Sequence, residues 1–143
     1  MRFAFPAEVE EEPDGVTVSF PDVPGAITCG DTRGEALERA ADALVSMLAA
    51  LVEDRAPLPR PSSARGRPVV GVTALDAAKL ALHEAMLEAG VSDVELGRRL
   101  GLDERAMARL RDPLRRSPIG TVETALRALG RRLVVEAHAA EAA

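Results

Sequence analysis

One short stretch, residues 16–36, constrains the fold more than any other part of the chain. Four elements follow one another there without long connections: a strand (16–20), a Pro-Asp-Val-Pro-Gly turn (21–25), a second strand (26–29) and a helix from Thr32. The first strand alternates apolar and small polar side chains, as a half-buried strand does. The prolines and Gly25 favour a turn, and Thr32 and Glu35 have the spacing of a capping box. These elements predict a small α+β domain.

The flanking residues extend that domain on both sides. Residues 2–10 predict a first strand with Phe3, Phe5, Ala7 and Val9 on one face, and Pro6 places it near an edge or a bulge. Asp14-Gly15 then predicts a hairpin. The helix from Thr32 to about Glu53 has apolar residues at three- and four-residue spacing, so it should cover one face of an antiparallel sheet.

Residues 55–68 interrupt the pattern, because four prolines prevent a helix there. Residues 69–73, Val-Val-Gly-Val-Thr, allow two interpretations: a fourth strand that returns to the sheet, or part of a linker. We therefore expect an N-terminal domain over residues 1–73 that includes the proline-rich segment, and a second domain over residues 74–143.

Charge divides the chain in the same way. Residues 1–60 hold 5 arginines against 12 acidic residues, a balance of −7, whereas residues 97–132 hold 10 arginines against 4, a balance of +6. This asymmetry favours a basic protein as partner for the first part and phosphate for the second. A single cysteine, Cys29, and the absence of a signal peptide or a long apolar segment predict a cytoplasmic protein without a membrane partner.

The second domain has the pattern of a helix-turn-helix. A helix over 75–89 ends at Gly90, and Ser92 and Glu95 begin another. Small Gly97 lets two helices approach, Gly101 makes the turn, and Asp103 caps the next helix, which Asp112-Pro113 ends. The domain is therefore expected to be all-α.

The C-terminal part predicts one more helix, capped by Thr121 and ended by Gly130, and then a short strand over residues 131–136. A lone strand needs a partner, and a second copy of the chain supplies one. The predicted dimer contacts are Leu133, Val134 and Val135.

The sequence also resembles a known family. The run Phe-Pro-Asp-Val-Pro-Gly, then Gly-Asp-Thr and Glu-Ala-Leu, is similar to the signature of HicB antitoxins, and the helix-turn-helix block resembles the tail found in many of them. The resemblance implies a partial RNase H-like sheet domain that neutralises a small basic RNA-cleaving toxin of the HicA type. It also implies a C-terminal domain that dimerises, binds operator DNA and represses the operon.

These functions point to specific residues. The candidates for toxin binding are Glu10, Glu11, Asp22, Val23, Pro24 and Gly25, and those for DNA binding are Arg105, Ala106, Arg109, Arg115 and Arg116. N-terminal residues of a recognition helix meet base edges, and loop arginines hold phosphates. Alternatively, the arginines only solvate a helix face. A different class of function is a stand-alone transcription regulator whose N-terminal domain senses a ligand or assembles the protein.

An enzymatic function is not expected. A metal-dependent nuclease needs converging carboxylates, and no acidic residue falls inside the second, third or fourth predicted strand. His83 and His138 lack metal-ligand spacing and are interpreted as surface residues. No catalytic residue, metal or cofactor is therefore predicted.

Overall fold

A computed structural model describes residues 3–139, so Arg2, the predicted start of the first strand, and residues 140–143 lie outside it. Within the described residues the strands are β1 Ala4–Pro6, β2 Glu8–Glu12, β3 Gly15–Ser19, β4 Ile27–Gly30 and β5 Val69–Gly71. The helices are α1 Arg33–Glu53, α2 Ala74–Ala89, α3 Asp93–Leu100, α4 Glu104–Arg111 and α5 Ile119–Ala128. The predicted α+β class is confirmed. None of these helices is long and apolar enough to cross a membrane.

The predicted first strand is divided in two, which corrects the sequence interpretation. β1 pairs antiparallel with β5, whereas β2 pairs with β3, which in turn pairs with β4. The change of partner falls at Ala7, whose N–H donates to the carbonyl of Pro68 at 2.8 Å. Pro6 lies immediately before it and has no N–H to offer a ladder, so the chain leaves one sheet there and enters the other.

The fourth predicted strand exists as β5, and the linker interpretation of this segment is wrong. Val70 lies opposite Phe5 in an antiparallel register, and the N–H of Val72 donates to the carbonyl of Phe3. The proline-rich segment before β5 is attached as well. Leu58 is buried, and Ser62 donates through both its N–H and its hydroxyl to the Asp22 carboxylate at 2.9 Å.

α1 begins as the sequence predicts, with one difference. The Thr32 hydroxyl accepts from the Glu35 N–H at 3.2 Å, but the Glu35 carboxylate accepts from the N–H of Asp31 rather than that of Thr32. At the other end the N–H of Ala56 donates to the carbonyl of Leu51, which is the Schellman pattern. Arg55 occupies its left-handed position at φ 55°, where glycine is usual.

Two apolar cores hold the chain together. The first is enclosed by the sheets and α1 and contains all the phenylalanines, and its largest fully buried side chains include Phe5, Leu44 and Leu48. The second is built between α2, α3, α4 and α5 around Leu82, Leu96 and Met107. Since Leu80 of α2 belongs to the first core and Leu82 to the second, one helix packs into both.

The C-terminal part departs from prediction in two places. α5 begins at Ile119 after Pro118 and has no side-chain cap, so Thr121 lies inside the helix instead of capping it. Residues 131–139 form neither helix nor strand in the single chain. A strand needs hydrogen-bonding partners on a neighbouring strand, and the described chain offers none beside this segment.

Candidate functional site

One face of the three-stranded sheet is open. The register of β2, β3 and β4 places alternate residues on this face, and we call them the open sheet face: Glu8, Glu10, Glu12, Thr17, Ser19, Ile27 and Cys29. α1 covers the opposite face, where Val16 and Val18 are buried. All three glutamates are exposed, and so is Ile27, at 61%. The open sheet face therefore has acidic side chains along β2 and an exposed apolar side chain, Ile27, on β4.

The residues predicted to bind a toxin are only partly brought together on this face. Glu10 lies on it, whereas Glu11 alternates to the other side of β2, although it remains exposed at the edge. Pro24 and Gly25 are exposed in the turn between β3 and β4. Val23, however, is only 2% exposed and belongs to the first core, and Asp22 holds Ser62.

A close helix pair, α3 and α4, forms at the second predicted site. Gly101 is left-handed at φ 69°, and the N–H of Leu102 donates to the carbonyl of Gly97 at 2.8 Å. A Cβ at Gly97 would lie 2.8 Å from the oxygen of Leu102, so glycine is required for this approach. Asp103 caps α4 by accepting from the N–H of Ala106 at 2.8 Å.

The arginines of this region fall into three groups, and one of them is Arg111 alone, which is buried and pairs with Asp93. Arg98 and Arg99 are both engaged by Glu95, at 2.9 and 3.2 Å. Four exposed arginines have side chains with no ion pair or hydrogen bond to any residue that the structure describes: Arg105, Arg109, Arg115 and Arg116. The predicted DNA-binding arginines are therefore the ones left available for an external anion. Ala106, between them, is half-buried.

A buried lysine that sequence reasoning missed lies beneath these arginines. Lys79 of α2 is 0% exposed, and its ammonium donates to the carbonyls of Arg109, Asp112 and Arg115 at 3.0, 3.0 and 2.5 Å. Burial lowers the pKa of Lys79, while the charges of Asp112 and Asp76 oppose that change. All three acceptors are main-chain oxygens at and beyond the end of α4.

A second missed group joins the two parts of the chain. The sequence predicts a surface position for His83, and this prediction is wrong, because His83 is 1% exposed. Its Nδ1 lies 3.1 Å from an Nη of Arg111, and its Nε2 lies 2.7 Å from the carbonyl of Ala56. Because arginine can only donate, Nδ1 accepts and Nε2 carries the proton, so His83 is neutral. Burial is the main cause that lowers the pKa of His83.

Asp93, at the start of α3, completes this group, which we call the junction cluster: Arg55, His83, Asp93 and Arg111. Asp93 pairs with Arg55 at 2.6 Å and with Arg111 at 3.0 Å. Partial burial opposes ionisation of Asp93, but the hydrogen bonds and charges of the two arginines outweigh it and hold the pKa of Asp93 below its ordinary value. The cluster therefore connects the end of α1 to α2, α3 and α4.

The sequence did contain a signal for the buried residues of α2. Leu75, Lys79, Leu82, His83 and Met86 share one face at three- and four-residue spacing. A lysine and a histidine within an apolar stripe must satisfy their polar atoms inside the protein, because a buried polar group without a partner is costly.

The segment predicted to form the dimer is largely exposed in the single chain. Val134 and Val135 are exposed at 64% and 62%, and Leu133 is half-buried against the second core. Among residues 3–139 no three His, Cys, Asp or Glu side chains are grouped so that they could hold a metal ion.

The fold and these surfaces define an α+β protein with an acidic sheet region and a basic helical region. Residues 3–81 match the profile of a family described as HicB_like antitoxin of bacterial toxin-antitoxin system. The chain is 41% identical to Antitoxin HicB of Pseudomonas fluorescens (strain Pf0-1), over 98% of this chain and 97% of that protein. It is 41% identical to Antitoxin HicB 2 of Photorhabdus laumondii, over 90% and 92%, and 34% identical to Antitoxin HicB of Escherichia coli (strain K12), over 90% and 95%.

The chain belongs to the HicB-like antitoxin family of bacterial toxin–antitoxin systems. Membership confirms the resemblance drawn from the signature residues and implies a toxin as partner.

Proposed function

We propose that this chain neutralises a small basic RNA-cleaving toxin of the HicA type and represses its own operon. The observation that carries the proposal is the separation of charge within an antitoxin of this family. The acidic open sheet face and the unpaired arginines around α4 lie in different parts of the molecule, so protein and DNA have separate surfaces. Opposite charges across an interface chiefly raise the association rate and the selectivity of binding.

The toxin is proposed to dock on the open sheet face and the adjoining turn at Pro24-Gly25. Glu10 and Glu12 point from the edge strand β2, and exposed Ile27 on β4 adds an apolar contact. A basic partner would complement these glutamates while it covers the apolar side chain, which is the arrangement of a polar rim around an apolar centre.

Charge reversal on β2 tests this docking surface. The double variant Glu10→Arg, Glu12→Arg should associate with the toxin about tenfold or more slowly at low salt, and the loss should shrink as salt rises. The matched control is Glu38→Arg, Asp42→Arg, which makes the same change of charge at exposed positions of α1. Equal association rates and equal protection of RNA by the two double variants would contradict the docking surface.

Operator binding is proposed for the α3–α4 pair acting as a helix-turn-helix. α4 would lie in the major groove with Arg105 and Arg109 at base edges, while Arg115 and Arg116 hold phosphates. The free guanidinium groups of these four residues support this assignment, because an arginine already paired to a carboxylate would lose that partner on binding. Asp103 serves as the cap of α4.

Dimerisation is proposed through residues 131–136. Leu133, Val134 and Val135 would pair with the same segment of a second copy and form the strand that the single chain lacks. Val134 and Val135 are exposed, and Val135 lies near Ile119, which is 43% exposed, so these side chains supply apolar area for that contact. Truncation after Gly130 should produce monomers in sedimentation, and a full-length monomer at micromolar concentration would contradict this proposal.

Titration against its own promoter and against random DNA at two salt concentrations tests operator binding. Arg105→Ala or Arg109→Ala should reduce discrimination between bases by about 1–3 kcal/mol. Arg127→Ala is the matched control, because Arg127 is an exposed arginine of α5 that pairs with Glu123. If wild-type protein, free and toxin-bound, shows no preference for the promoter, the repressor part of the proposal is wrong.

The same experiments distinguish an antitoxin from a stand-alone transcription regulator. Promoter binding without any measurable binding to a small basic protein encoded beside this gene would favour a stand-alone transcription regulator.

A further inference from the structure

Lys79 is a buried cation whose partners are all main-chain oxygens. It lies in the middle of α2 with 0% exposure, and its three hydrogen bonds reach Arg109, Asp112 and Arg115. An ammonium group has three donors, so every one of them is used. Burial of a charged group is costly unless it is hydrogen-bonded, and this side chain is therefore held in one place by its acceptors.

The acceptors lie where α4 ends and the following loop begins. The last carbonyls of a helix have no partner inside the helix, and the end of the helix carries partial negative charge. α4 ends at Asp112 in an extended conformation, without the left-handed glycine that closes α2 and α3. The Lys79 ammonium takes the place of such a cap and also reaches past it to the carbonyl of Arg115.

Two of the three carbonyls belong to arginines proposed to contact DNA. Arg109 is in the last turn of α4, and Arg115 is in the loop that leads to α5. Within residues 3–139 the other hydrogen bonds at the start of this loop are local: the N–H groups of Leu114 and Arg115 donate to the side chain and to the carbonyl of Asp112. The bond from Lys79 joins the carbonyl of Arg115 to α2 in the helical core.

We propose that Lys79 is a positioning residue for operator binding, which sets the backbone of Arg109 and Arg115 at the distance needed for one to reach a base edge and the other a phosphate. This inference rests on the proposed repressor function. Lys79 is fully buried and cannot reach DNA, so every effect it has on DNA binding passes through the main chain that it holds.

A purely structural role would give a different result from a positioning role. Loss of a structural residue lowers the stability of the fold but leaves the number of phosphate contacts unchanged in the molecules that remain folded. Loss of a positioning residue lowers affinity in folded protein and makes the dependence of binding on salt shallower, because each lost phosphate contact reduces the slope by about one unit.

The test compares Lys79→Met and Lys79→Gln with wild-type protein and with Leu82→Val. Methionine keeps the approximate volume without a donor, and glutamine keeps two donors without the charge. Leu82→Val weakens the packing of the same helix in the second core and removes no hydrogen bond. Promoter and random DNA are titrated at two salt concentrations, at a temperature at which circular dichroism shows each variant to be folded.

Lys79→Met should bind the promoter about tenfold or more weakly, with a salt slope shallower by about one unit per subunit. Lys79→Gln should fall between it and the wild type, and Leu82→Val should keep the wild-type slope. Hydrogen exchange at the amides of Leu114 and Arg115 should accelerate in both Lys79 variants. If Lys79→Met does not fold, Lys79→Gln decides the question by the same measurements.

Two results would overturn the inference, and they differ. If wild-type protein and Leu82→Val prefer the promoter while the Lys79 variants bind with wild-type affinity and slope, only the positioning role is wrong. If the wild type itself does not distinguish promoter from random DNA, the repressor function is wrong, and the positioning role is lost with it.

Discussion

The sheet region and the helical region bury different kinds of side chain. Every buried member of the first core is apolar, from the phenylalanines of the N-terminus to Leu44 and Leu48 of α1. The buried polar side chains of the described residues, Lys79, His83 and Arg111, all belong to α2 and α4. Each of these side chains donates a hydrogen bond to a main-chain carbonyl. Those carbonyls lie at the ends of α1 and α4.

The difference has a physical cause. A sheet satisfies its backbone groups between strands, so the first core needs no polar side chains. The helical region packs four helices of 8 to 16 residues, and every helix end leaves carbonyls without partners. Where the end of a helix is buried in a core, a buried side chain must donate hydrogen bonds to these carbonyls. The buried polar side chains therefore lie where helices end. One such place is the junction cluster, and the other is the proposed DNA-binding surface at the end of α4.

Substitutions in the two cores should have the greatest effect on stability, and they test whether the two cores unfold as one cooperative unit. Leu44→Ala in the first core and Leu96→Ala in the second should each lower the free energy of unfolding by about 2–5 kcal/mol, because both side chains are fully buried. Since α2 packs into both cores, either variant should still unfold in one transition, measured by chemical denaturation and by hydrogen exchange of each region.

The control for this comparison is Val94→Ala, on the same helix as Leu96 but 72% exposed, which should change stability by no more than about 0.5 kcal/mol. Separate transitions for the sheet and helical regions in Leu96→Ala would contradict a single cooperative unit and show that the two regions unfold independently.

A smaller effect should appear as pH falls, and it belongs to the junction alone. His83 has a lowered pKa in the folded protein, so below its ordinary value of 6.5 the unfolded chain takes up a proton that the folded chain resists. Stability is therefore complete above that value and decreases as pH falls through it, by at most about 1.4 kcal/mol per pH unit for one site. Arg111 and Arg55 disfavour the protonated ring, whereas Glu84 and the carbonyl of Ala56 favour it.

Urea denaturation between pH 5 and 8 measures this dependence. His83→Gln should flatten the profile in that range, and His138→Gln is the matched control, because His138 is exposed and lies near Glu136. A profile that is as steep in His83→Gln as in the wild type would assign the dependence to other groups.

The smallest effect concerns the end of α1, where the two regions meet. Arg55 is left-handed at φ 55° and pairs with Asp93, whereas Arg65 is left-handed at φ 51° without an ion pair to the described residues. At both positions a substitution by glycine removes the backbone strain of the left-handed conformation. Arg55→Gly should therefore be less favourable than Arg65→Gly by up to about 1 kcal/mol, the range for an ion pair that is partly exposed to solvent. Equal changes in the free energy of unfolding would show that the Arg55–Asp93 pair contributes nothing.

Much of this architecture follows from local sequence. The turn at residues 21–25, the cap at Thr32, the glycines at 90 and 101 and the cap at Asp103 each act within a few residues, so their effect is visible in the pattern. The proposed site residues Arg105, Arg109, Arg115 and Arg116 were found because charge on a helix face is a local property. The start of α5 was misplaced because Thr121 offered a cap that the chain did not use.

Tertiary structure decided what depends on partners distant in sequence. Pro6 indicated an interruption, but only the pairing of β1 with β5 and of β2 with β3 divided one strand between two sheets. Lys79 and His83 were visible as polar residues in an apolar stripe, yet their acceptors lie 27 to 36 residues away along the chain. A helical pattern specifies which face a side chain occupies. Which carbonyl it meets is set by the packing of the other helices, and that packing exists only in the folded chain.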